Sequence, residues 1–126
     1  MKSDAMADIT TIQLPDRVDS ATSATVEVSI VAALRPGARV IVDGSPVVYM
    51  SAAGVRVLAI ALHRAAEVEA RIVFCSFNGA AADCLLVSGF SQLFDVVDSV
   101  AQAEQILRGR PVGEAARRLH ARRGTG

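Results

Sequence analysis

The sequence has no tryptophan, one tyrosine (Tyr49) and four phenylalanines, at 74, 77, 90 and 94. With 4% aromatic residues against 52% hydrophobic ones, the core must be made of Val, Ile, Leu and Ala. Most of the phenylalanines lie in apolar runs, so a nucleic-acid surface built on base stacking is not expected. Cys75, Cys84, His63 and His120 show no metal-ligand spacing. Both cysteines read as small buried hydrophobes in a reducing, cytoplasmic compartment. No run of about 18 apolar residues occurs, so no membrane span is expected. The opening MKSDAMAD lacks an apolar core, so no signal peptide is expected either. There is no GxSxG elbow, no GxxxxGK phosphate loop and no His/Cys/carboxylate cluster. Nothing in the sequence asks for an enzyme, a metal or a cofactor.

The chain does have enough apolar residues for one domain in its 126 residues, and an uneven charge. The formal charge is zero, but six arginines (108, 110, 117, 118, 122 and 123) and one acid, Glu114, follow Leu107. The body before them is acidic, which favours a basic protein surface over direct contact with nucleic acid. Residues 1–8 read as disordered or tag-derived, 9–109 as the domain, and 110–126 as a basic tail.

In chain order, ITTIQL at 9–14 reads as an edge strand. Ser20, Thr22 or Ser23 then caps a helix reaching Leu34, with Val26, Ile30, Val31 and Leu34 inward. The β-branched run at Arg39–Asp43 suits a strand buried on both faces. Val55, Leu58, Ala59, Leu62 and Ala66 keep helical spacing and predict a helix over 52–66. Arg71–Phe77 is a further strand, 79–88 a helix stopped by Gly89, and Leu93–Val97 a last strand. Phe90 is placed for the apolar contact that follows such a stop. Asp98 or Ser99 caps a final helix with Val100, Ala103, Ile106 and Leu107 inward. This alternation calls for an α/β fold with a parallel sheet.

Three stretches in this order resemble a known family: PDRVDSAT at 15–22, VIVDGSPVVYMSAAGVRVL at 40–58 and SGFSQLFDVVDS at 88–99. Together they are similar to the STAS domain of bacterial anti-sigma factor antagonists, which also occurs at the ends of sulfate transporters. The resemblance implies a mixed, mostly parallel sheet of four to five strands flanked by about four helices, with the first strand at an edge. It implies a non-enzymatic regulator that captures a serine-kinase-like anti-sigma factor and frees a sigma factor. It also implies a docking surface at Asp19, Thr22, Asp43, Tyr49, Met50, Ser51, Ala52, Ala53, Gly54, Val55 and Arg56, with the 44–49 connection and the following helix.

The family's helix-opening turn reads Asp-Ser-Ser-Gly, and its second Ser is phosphorylated to release the partner. Aligned on Gly54, this chain has Ser51, Ala52 and Ala53 there. Ala53 has no hydroxyl, so the standard switch is missing at its chemical centre. Ser51 is expected to cap the helix by accepting a bond from a first-turn N–H, and is otherwise the candidate substitute phosphoacceptor. Gly54 marks a close approach, either of a strand or the 44–49 connection, or of a partner backbone. Asp43 either faces a ligand or caps its own connection. Arg56 and His63 fall off the apolar face of their helix. Two other roles compete: a scaffold subunit of a membrane transport or sensory complex, and a small-molecule sensor. A homodimer is left open.

Overall fold

A computed structural model describes residues 9–89 and 96–109. In chain order it contains β1 (Ile9–Gln13), β2 (Arg17–Val18), α1 (Ser23–Ala32), β3 (Arg39–Asp43), β4 (Tyr49–Met50), α2 (Ala52–Val68), β5 (Arg71–Cys75), α3 (Gly79–Ser88), β6 (Val96–Val97) and α4 (Val100–Arg108). Phe90 and the start of the expected last strand, 93–95, lie outside the described residues, as do both termini.

Four strands form one parallel sheet in the order β1-β3-β5-β6, so the first strand is at an edge as expected. The register pairs Val42 with Phe74 and Asp43 with Cys75, bringing the strand ends level. Successive side chains point to opposite faces. Val40, Val42, Ile72 and Phe74 pack with Val26 and Ile30 of α1, Leu58 and Ala61 of α2, and Leu85 of α3. Ile41, Val73 and Cys75 pack on the other face with Ala103 and Leu107 of α4. The unbroken apolar reading of β3 is explained by helices on both its faces.

A second, two-stranded parallel sheet pairs Arg17 with Tyr49 and Val18 with Met50. Both strands are two residues long, too short for period two to show in the sequence. This clasp positions the start of α2, because the Ser51 N–H donates to the Val18 carbonyl at 3.0 Å.

The helix ends follow local chemistry. Ser99 caps α4: its Oγ accepts from the Gln102 N–H at 3.1 Å, and the Gln102 side chain accepts from the Asp98 N–H at 2.8 Å. Gly89 stops α3 with φ +83°, the left-handed position expected of it. β5 ends at Cys75, short of the expected Phe77, because Ser76 takes φ +68°, a conformation that strands do not continue. Thr22 stands at the N-cap of α1 but makes no capping bond there. The bonds lie one turn earlier. Asp19 Oδ1 accepts from the N–H groups of Ala21 at 3.0 Å and Thr22 at 3.2 Å, and Thr22 Oγ1 accepts from the Asp19 N–H at 3.0 Å.

Candidate functional site

The clasp, the 44–49 connection and the first turn of α2 meet at the carboxyl end of the sheet. Parallel strands carry their connections there, and α/β folds place their sites there. Asp43 is 6% exposed. Its Oδ1 accepts from the Ser45 N–H at 2.9 Å and its Oδ2 from Gln13 Nε2 at 3.3 Å. Asp43 therefore shapes the connection from below rather than facing out of it.

Gly54 resolves in favour of packing. A Cβ there would lie 2.5 Å from the Val18 carbonyl oxygen and 2.9 Å from Val18 Cγ1. The close neighbour is β2, with Met50 behind it, and not the 44–49 connection. The carbonyl that crowds Gly54 is the same one that holds the Ser51 N–H.

Ser51 occupies the N-cap of α2 in an extended conformation, φ −105° and ψ 177°, but makes no side-chain capping bond. This corrects the expectation from its residue type. Its Oγ is buried with no hydrogen-bond partner among the described residues. A kinase could reach that oxygen only after the turn opens.

Of the eleven docking residues expected, Met50, Gly54 and Val55 are buried with Asp43 and support the turn from within. Tyr49 (42% exposed), Ala52 and Arg56 reach the surface, and Asp19, Thr22, Ser51 and Ala53 are partly exposed. Arg17 joins this group unexpectedly. Its guanidinium lies 4.6 Å from the centre of the Tyr49 ring, across the clasp, and its Nε is 3.3 Å from Asp19 Oδ2. Burial pushes the Asp19 carboxyl up, but the N–H groups of Ala21 and Thr22 and the Arg17 charge outweigh it and hold the group below its ordinary value.

A carboxylate whose folded pKa is depressed stabilises the fold above the unfolded pKa, and that contribution disappears as pH falls through the folded value. Stability should therefore decline on acidification below the ordinary carboxylate range. Asp19→Asn should remove part of that decline, which urea unfolding across a pH series would measure.

Sequence reasoning missed the other wall of the site. α3 packs beside the start of α2 and leaves an apolar groove of about 670 Å³, lined by Ala52, Val55 and Arg56 from α2 and by Asp83, Cys84 and Val87 from α3. Val87 on the groove is 86% exposed, and its chain neighbour Leu86 is 60% exposed, so α3 leaves large apolar side chains in solvent. One signal was available: GAAADCLLVS is apolar nearly all round, although only Ala81 and Leu85 are buried. Cys84, expected to be buried, is partly exposed on this groove. Cys75 is buried as expected, and burial pushes its thiol up, with Asp43 adding to the shift and a bond with Ser76 opposing it. Among the described residues no three His, Cys, Asp or Glu side chains gather as a metal site, and no helix is long and apolar enough to cross a membrane.

These features define an α/β domain whose distinctive surface is a small-residue helix start beside an apolar groove. The family model described as the STAS domain matches residues 3–103, and the chain belongs to that family. The fold is similar to that of an anti-sigma-factor antagonist (STAS) domain protein from Planctomyces limnophilus, with TM-score 0.71, 18% identity, and 82% of this chain and 93% of that one covered. It is similar to an anti-sigma factor antagonist from Mycobacterium paratuberculosis, with TM-score 0.71, 18% identity, and 81% and 87% covered. It is also similar to the murine Solute Carrier 26 family member A9 anion transporter, with TM-score 0.70 and 14% identity, where 82% of this chain matches 18% of the transporter. No curated protein matches the sequence.

Proposed function

We propose that this chain is a cytoplasmic, non-enzymatic anti-sigma factor antagonist. It captures a serine-kinase-like anti-sigma factor in a bacterial partner-switching system and so regulates transcription. The observation that supports the reading is the surface at this end of the sheet: the clasp, the α2 start and an apolar groove lie together, while position 53 is alanine. Capture of this kind needs a shaped apolar surface with a few charges at its edge, and Arg17, Arg56 and Asp83 supply those. Without a hydroxyl at 53, the chain binds constitutively with respect to phosphorylation. Ser51 offers no easy substitute, because its oxygen is buried.

The test is calorimetric titration of the chain into a purified serine-kinase-like anti-sigma factor from the same genome. Saturable binding that Ala52→Arg abolishes supports the reading. Absence of binding to each such protein, measured at chain concentrations where the chain is monomeric, overturns it. A second reading, a scaffold subunit of a membrane transport complex, draws on the fold shared with the murine transporter. It predicts association with a transporter subunit and none with the kinase-like protein.

A further inference from the structure

We propose that the groove between α2 and α3 is also the seat of a second copy of this chain, and that self-association covers the docking end. Two observations carry this. The first is apolar: the groove is lined by Ala52, Val55, Cys84 and Val87, and Val87 at its edge is 86% exposed. An apolar concavity with an apolar ridge beside it marks an association surface.

The second is charge. The described helices carry three arginines. Arg64 pairs with Glu67 at 3.5 Å and Arg108 with Glu104 at 3.8 Å, each within its own helix. Arg56 has no such neighbour: the positions three and four residues away are Ala52, Ala53, Ala59 and Ile60. Asp83 on the other wall is in the same position, with Gly79, Ala80, Leu86 and Val87 at those spacings. Both side chains are exposed, and neither makes an ion pair or side-chain hydrogen bond among the described residues.

One groove thus offers a cation on one wall and an anion on the other, which makes it complementary to itself. A two-fold axis lets Val87 of each copy enter the groove of the other while each Arg56 meets the other copy's Asp83, as an isologous interface requires. Such a dimer covers Ala52, Val55 and Arg56. Its regulatory meaning rests on the docking reading above: self-association and partner capture exclude each other, so chain concentration takes over the off-switch that Ala53 cannot provide.

Sedimentation equilibrium of the purified chain over a wide concentration range tests this without any partner. The expected result is a monomer–dimer equilibrium. Val87→Glu should remove the dimer. Arg56→Glu should weaken it about tenfold or more, because one substitution acts at two symmetric contacts. The double reversal Arg56→Glu with Asp83→Arg should restore it. All three positions are exposed, and an unchanged circular dichroism spectrum and Tm confirm the fold of each variant. A chain monomeric at all concentrations overturns the inference, as does a dimer that Val87→Glu leaves intact or a folded double reversal that stays monomeric. None of these outcomes bears on whether the anti-sigma factor is bound, so the two readings fail separately.

Discussion

Phe74→Ala should cost about 3–5 kcal/mol, the range for truncating a fully buried aromatic side chain. Phe74 is 0% exposed and heads the fully buried side chains by volume. It lies on the central strand β5, level with Val42 and Val96, on the face that meets α1, α2 and α3. With so few aromatics, the surrounding Val, Leu and Ala side chains are short and cannot swing in to fill the space. Native domains have only about 5–15 kcal/mol in hand, so this one change removes a large share. Urea unfolding would show a lower midpoint with an unchanged slope. A loss below about 1 kcal/mol would mean that the core collapses around the cavity, against the close packing described.

Gly54→Ala should destabilise by about 1–3 kcal/mol despite the better helix propensity of alanine, which alone favours the change by about 1 kcal/mol. The added methyl would meet the Val18 carbonyl oxygen at 2.5 Å. That oxygen cannot retreat cheaply, because it accepts the Ser51 N–H bond that anchors the start of α2. The relief available is separation of the clasp from the helix. The variant should therefore lose partner affinity as well as stability. Thermal melting and the titration above would show both, whereas a neutral or stabilised Gly54→Ala would place β2 farther from α2 than described.

The parts of the fold legible in the sequence were those long enough to show a period. β3 and β5 showed as β-branched runs, α2 as an i, i+3, i+4 apolar stripe, and α3 by its glycine stop. β2 and β4 were hidden because two residues carry no period, and their pairing joins positions 32 apart, Arg17 with Tyr49. The clasp in turn explains Gly54: the strand that approaches it is β2, at Val18. By residue type Ser51 is a capping residue. Its backbone does stand at the N-cap, but its hydroxyl turns to a buried position and makes no bond. The groove was missed because its walls come from α2 and α3, and a surface shared by two elements has no signature in either. The partial exposure of Cys84 is hidden in the sequence for the same reason. The alanine at 53 was plain from the start, since a missing hydroxyl needs no structure to be seen.

On the proposed reading, the docking end is retained while position 53 lacks the hydroxyl of a covalent switch. The direct measurement is to incubate the chain and its Ala53→Ser variant with the kinase-like anti-sigma factor and ATP, then record intact mass and affinity together. The expected result is an unchanged mass and retained binding for the natural sequence. Ala53→Ser, which restores a hydroxyl at the start of α2, should gain one phosphate and lose binding. A phosphate gained by the natural chain with loss of binding, mapped to Ser51 or elsewhere, would contradict it.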